Sequence, residues 1–341
     1  MTVIRDASHA GSWYSGSGKR LSSELDGWLA KVPTSVSDGS LSNFPLPITK
    51  CRAIIAPHAG YSYSGPAAAY AYKCVDVEPI KRVFVLGPSH HFYLDGCALS
   101  QCDEYETPLG NLKLDKDVIA KLKATGEFSL MSQQVDEDEH SIEMHLPYVY
   151  KIFEKKQEPY TIVPILVGAI SAEKETKFGR LLASYLADPQ NLFVVSSDFC
   201  HWGSRFSYTY QGSGNRDPPI YQCIETLDRE GMEIIETIDP KSFTAYLKKT
   251  RNTICGRHPI GVLLNAAAVL INGQTEDEDI SGKRKKQKSD DTDNIAERAA
   301  NGNGTVKKAE IKFIHYAQSS KVTSNRDSSV SYASAYLYLD L

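Results

Sequence analysis

Apolar residues fall in short unbroken runs along this chain, separated by longer stretches in which they recur every third or fourth position. The runs at 52–56, 82–87, 160–167 and 191–196 are rich in β-branched and aromatic residues and read as strands buried on both faces. Helical spacing appears at 66–75, 114–123, 140–153 and 171–186. Pro147 is expected to kink or restart the third of these helices. Pro164 suggests that 160–167 is an edge strand or carries a bulge. Strands and helices alternating at these lengths predict an α/β fold with a largely parallel sheet. Further along, helices are expected near 217–231, 240–249 and 259–271, then strands at 311–317 and 330–339. In the last of these Val330, Tyr332, Ser334, Tyr336 and Tyr338 alternate at period two. The two late strands would close the sheet antiparallel and make it mixed.

With 341 residues, 41% of them hydrophobic and 23% charged, the chain is long enough to bury a large core, and 1–341 is read as a single domain flanked by helices. A net charge of −4 argues against general binding of nucleic acid through its phosphates. No 18-residue apolar run is present to span a membrane, and the N-terminus lacks a secretory core. Seven scattered cysteines, an odd number, fit a reducing compartment, so a cytoplasmic location is expected. Residues 272–310 differ in character, with Glu276-Asp277-Glu278-Asp279 followed by the basic run Lys283-Arg284-Lys285-Lys286-Gln287-Lys288. So few apolar residues predict a disordered surface insertion. The basic run is a candidate nuclear-import signal, although the flanking acids favour a simple solvated charge run.

Chemistry-bearing side chains stand just past three of the apolar runs. His58 follows Ile54-Ile55-Ala56-Pro57, His90 and His91 follow Leu86-Gly87-Pro88-Ser89, and Asp198 follows Val194-Val195-Ser196-Ser197, with His201 three residues on. Loops at the carboxyl ends of parallel strands converge on one crevice. Two imidazoles and a carboxylate delivered there make the ligand set of a non-haem metal site. Adjacent side chains at a strand end point to opposite sides, so His90 is expected in the crevice and His91 behind it or at the surface. Asp198 and His201 could equally form an acid–base couple, and Asp198 alone could simply cap a helix. Cys255 sits near the start of the helix expected after Pro259, where the helix dipole and Arg257 would favour its thiolate. Thiolate with imidazole is a soft set, suited to copper, zinc or thiolate-bound iron. His140 and Glu143, three apart, share a helical face and are candidates to line the pocket. His140 and His145 do not form a His-Glu-x-x-His zinc motif. No Gly-x-Ser-x-Gly elbow, Walker loop or dinucleotide fingerprint occurs, which disfavours serine hydrolases, nucleotide hydrolases and dehydrogenases.

Five segments in order, Pro57-His58-Ala59-Gly60-Tyr61, Leu86-Gly87-Pro88-Ser89-His90-His91, Asp138-Glu139-His140-Ser141-Ile142-Glu143, Ser196-Ser197-Asp198-Phe199 and Ile254-Cys255-Gly256-Arg257-His258-Pro259, resemble the Memo family (mediator of cell motility). Cys200-His201-Trp202-Gly203 and Tyr316-Ala317-Gln318-Ser319-Ser320 are more similar to its eukaryotic branch. The resemblance covers nearly the whole chain except 272–310. It implies a fold like the catalytic subunit of class III extradiol dioxygenases. It also implies metal-site positions at His58, His90 and Cys255, with Asp198 and His201 lining the same pocket. A cysteine would then replace the glutamate that those dioxygenases use, an exchange that speaks against catechol cleavage. The family is associated with iron and copper binding, copper-linked redox chemistry, scaffolding in cell-migration signalling, and capture of phosphotyrosine peptides in the same crevice. Two functions follow as expectations, a metal-dependent redox or metal-handling protein and a non-enzymatic adaptor for peptides or phosphopeptides. An extradiol dioxygenase or a zinc hydrolase on the same fold is a third, weaker one.

Overall fold

The four unbroken apolar runs lie side by side at the middle of a nine-stranded mixed sheet. The computed structural model describes residues 2–37, 43–210, 218–273 and 308–341. In chain order the sheet strands are β1 (Cys51–Ala56), β2 (Arg82–Pro88), β3 (Cys97–Leu99), β4 (Phe128–Leu130), β5 (Thr161–Val167), β6 (Asn191–Ser196), β7 (His201–Trp202), β8 (Lys308–Gln318) and β9 (Ser329–Asp340). Their spatial order is β7–β9–β1–β6–β2–β5–β3–β4, with β8 also paired to β9. β1, β6, β2 and β5 run parallel, in a register that sets Ser196 beside Ala56 and Val195 beside Leu86. Their carboxyl ends therefore emerge along one edge. β9 joins β1 antiparallel, and β8 pairs β9 antiparallel, so the late strands close the sheet as expected.

The described helices are α1 (Gly18–Lys31), α2 (Tyr61–Lys73), α3 (Lys116–Ala124), α4 (Gln133–Asp138), α5 (His140–Glu143), α6 (Leu146–Phe153), α7 (Ala172–Ala187), α8 (Ile220–Glu236), α9 (Pro240–Thr250) and α10 (Arg257–Asn272). α2 packs on β1, β8 and β9, while α7 and α10 pack on each other and on β6. Side-chain oxygens open several helices. Asp115 accepts from the Val118 amide and Ser171 from that of Lys174, each satisfying a donor that a helix start leaves without a partner. The core is continuous through the sheet, with Phe84 of β2 stacked on Phe193 of β6 at 4.6 Å between centroids.

Two proline expectations came out differently. The helix expected from Pro66 begins five residues earlier, at Tyr61, and carries Pro66 inside it. The strand at 161–167 is neither an edge strand nor bulged at Pro164, since β5 has β2 on one side and β3 on the other. The ladder on the β3 side starts only at Ile165, and Leu114 bridges Ile162. Pro164 falls between these two pairings, where no ladder N–H is required. Pro147 restarts the chain as α6, with proline in the first helical turn. Of the expected insertion, 274–307 lies outside the described residues, including the whole basic run. Asn272 instead ends α10, and Lys308 to Glu310 begin β8.

Candidate metal centre

His58 leaves β1 two residues past its end and is 2% exposed. Its backbone N–H donates to Asp198 Oδ1 at 2.9 Å, and its Nδ1 lies 2.6 Å from Ser196 Oγ. The Ser196 hydroxyl donates its single proton to the Ser141 carbonyl at 2.7 Å. Nδ1 must therefore be the donor to Ser196, and Nε2 is left with a free lone pair. That lone pair faces Cys255 Sγ at 3.1 Å.

His90 is fixed the same way by a carboxylate. Glu139 accepts the His90 backbone N–H at 2.6 Å and its Nδ1–H at 2.8 Å, again turning Nε2 out as the lone-pair nitrogen. Glu139 also accepts the Ser141 amide. Burial by itself would raise the Glu139 carboxyl, but these hydrogen bonds and His90 hold it at about 2. His140 opens α5, with its ring stacked on that of His90 at 4.4 Å and 5.5 Å from that of His58. Its Nδ1 is buried with no hydrogen-bond partner. Trp13 covers the same ring at 4.2 Å. Burial, with His90 beside it, pushes the His140 imidazole down to about 3, so it is neutral.

α5 lies this close to β2 because position 87 is glycine. A Cβ there would meet Ser141 Oγ at 2.5 Å and Ile142 Cγ1 at 2.7 Å. Glu143, expected beside His140, points to a different place. It takes Arg5 Nη1 and His9 Nδ1 at 2.8 Å each and the Tyr14 hydroxyl at 2.7 Å. His91 is exposed, with its ring 6.4 Å from that of His90. His145 turns to the Tyr72 hydroxyl at 2.7 Å.

Asp198 is 3% exposed and bonds backbone rather than capping a helix, with Oδ1 accepting from the amides of both His58 and Ala59. Its own N–H donates to Cys255 Sγ at 3.2 Å. His201 Nδ1 faces two carbonyls, Phe199 at 2.9 Å and Thr253 at 3.2 Å, so Nδ1 carries the proton and Nε2 the lone pair. Thr253 exchanges hydrogen bonds with the His201 backbone, tying this loop to the Cys255 loop. The buried Asp228 adds to the tie by accepting from the Cys200 amide and from Asn252. Gly256 permits the approach, since a Cβ there would sit 2.3 Å from the Ser196 carbonyl.

The side chains thus form two overlapping groups with ligand atoms within 4.8 Å of one another, namely His58, His90 and His140, and His58, Asp198 and Cys255. His58 belongs to both, while His201 and Glu143 belong to neither. One expectation about charge is overturned. Burial, reinforced by Asp198, pushes the Cys255 thiol well up and outweighs Arg257, whose guanidinium turns to the Ile254 carbonyl at 3.4 Å. Without a bound cation the thiol form is favoured.

Ser196, Glu139 and Trp13 were not singled out from the sequence. Glu139 stands in the acidic run 136–139, where nothing local distinguishes it from its neighbours. That run divides, Asp136 going to Arg5 and Glu139 to His90. A serine ending an otherwise apolar buried strand was the available signal for Ser196.

These features define a class: α/β proteins whose strand exits gather imidazole, carboxylate and thiol into a site able to receive a metal ion. The Memo-like protein profile matches residues 5–292, and the chain belongs to that family. Protein MEMO1 of Xenopus laevis is 52% identical over 336 residues, covering 98% of each chain. Human Protein MEMO1 is 50% identical over 335 residues, 98% of this chain and 97% of that one. The memo-1 homolog of Caenorhabditis elegans is 44% identical over 337 residues, 98% of this chain and 83% of the other. Among solved structures, an uncharacterized Escherichia coli K12 protein aligns with a TM-score of 0.43 at 13% identity, covering 82% of this chain and 98% of that one. Among the described residues, no helix is long and apolar enough to cross a membrane.

Proposed function

We propose that the crevice is a metal centre for iron or copper, with zinc also chemically admissible, held by His58, His90 and Cys255, and that the protein handles this metal or uses it in redox chemistry. The observation that carries the reading is the paired fixing of His58 and His90. Each Nδ1–H is committed to a neighbour, so both Nε2 atoms stand ready as ligands. The donor types suit such an ion, since two neutral imidazoles and a sulfur serve iron and copper alike, and His58, common to both groups, links His90 to Cys255. A bound iron or copper ion would supply Lewis acidity and one-electron redox chemistry.

The chain's own residues do the rest. Ser196 and Glu139 hold the imidazole tautomers. Asp198 anchors the His58 backbone, and burial of His58 and Asp198 excludes water. Cys255 must release its proton for sulfur to act as a ligand, and His201 Nε2 is free to accept one. A link to cell motility and growth signalling follows from family membership and belongs to the same proposal.

Protein purified anaerobically without added metal should carry iron or copper near one equivalent, and a His58→Ala, Cys255→Ser variant should carry none. A wild-type protein that stays empty after anaerobic loading with Fe(II) and with Cu(I) overturns the reading. One observation favours an adaptor instead: Phe92 and Tyr93, 49% and 81% exposed, follow His91 beside the crevice. Peptide binding that survives metal removal and His90→Ala would support it.

A further inference from the structure

We propose that His140 completes a second cation position with His58 and His90, made only of nitrogen and suited to a borderline divalent ion such as Co(II) or Zn(II). The proposal deepens the reading of the crevice as a metal centre and rests on it. Its ligand set differs from the one proposed above by exchanging sulfur for a third imidazole.

Three observations carry it. The ligand atoms of His58, His90 and His140 all lie within 4.8 Å of one another. A tetrahedral ion with metal–nitrogen bonds of about 2.0–2.1 Å holds its nitrogens roughly 3.3 Å apart, so modest ring rotations close the set. Second, His140 is 8% exposed, and its Nδ1 is buried without a hydrogen bond, the nearest carboxylate oxygen, on Glu139, being 3.6 Å away. A buried polar atom without a partner is unfavourable, and an ion ligated through that nitrogen would supply one. Third, Glu139 lies against both His90 and His140 and offers a buried counter-charge where none of the three imidazoles supplies one.

His58 is common to both groups, and its Nδ1 is occupied by Ser196. Only one of its nitrogens can serve, so the two positions compete for a single ion. Softness decides between them: Cu(I) goes to sulfur, and a borderline divalent ion goes to the three imidazoles.

Co(II) titration of the full-length protein under anaerobic conditions tests this through the visible spectrum, with stoichiometry and Kd read together. Cys255→Ser should still bind one Co(II), with no sulfur-to-cobalt charge-transfer band. Adding His140→Gln to that background should weaken binding at least about tenfold. His140→Gln alone should leave Cu(I) affinity unchanged, and thermal melts of each variant confirm that it is folded. Loss of Co(II) in Cys255→Ser while the wild type binds it would overturn the inference and leave the sulfur-bearing centre standing. Equal affinity with and without His140 would overturn it as well. A wild type that binds neither Co(II) nor iron nor copper removes both proposals together.

Discussion

A hydroxyl with one proton decides how His58 can act. Ser196 donates to the Ser141 carbonyl and so can only accept from His58, which places the imidazole lone pair at Nε2. Ser196→Ala removes that constraint while barely changing volume. Metal affinity should fall about 10- to 100-fold with the fold intact, as measured by competition with a chromophoric chelator. An unchanged affinity would show that the tautomer is set elsewhere. Glu139→Gln should act in the same direction through His90. His58, His90, Asp198 and Cys255 were legible because each stands at the end of an apolar run or near a helix start, where topology sends side chains to a common edge. Ser196, Glu139 and the buried His140 were harder to read, since their importance lies in partners 40 to 140 positions away that no local spacing encodes.

Elements show the same division. Strands buried on both faces and helices opened by Ser171 and Asp115 were readable from run length and capping residues. Pro164 misled because strand interiors ordinarily exclude proline, and only the register of β3 shows that its side of the ladder is bare there. α1 went unread altogether: only Leu21 and Leu25 are buried along its fourteen residues, too sparse a stripe. The short α5 depends on Gly87, whose missing side chain makes the space that Ser141 and Ile142 fill. Gly87→Ala should destabilise the protein by about 1–3 kcal/mol in urea unfolding, and it should weaken Co(II) binding at the three imidazoles by displacing His140 from β2. Full stability in that variant would mean that α5 can shift freely and that its packing does not fix the site.

Acid sensitivity is a property of the molecule in aggregate, because several buried groups titrate in the same direction. His140 and His145 are neutral in the fold, pushed to about 3 from an ordinary 6.5, chiefly by burial. As pH falls from 6.5 toward 3, the unfolded chain takes up protons that the folded one refuses, and stability drops. Glu143 is held at about 2 because His9, Arg5 and Tyr14 outweigh its burial, and Glu139 is held there too. Their contribution is full above about 4.5 and is lost as pH falls from there toward 2. Burial raises the carboxyls of Asp136, Asp198 and Asp228, which opposes part of the acid loss, but the urea midpoint of metal-free protein should still decline below pH 6.5. A flat profile between pH 7 and 5 would contradict the buried, neutral histidines.

β9 is the last strand of the chain, yet it lies inside the sheet, against β1. During synthesis β1 and its His58 exit must wait, one ladder open, until some 270 further residues have left the ribosome. An unpaired strand edge is a template for stray association. The nascent chain thus carries an open strand edge beside the corner where the imidazoles gather, and only arrival of β9 shields the two together.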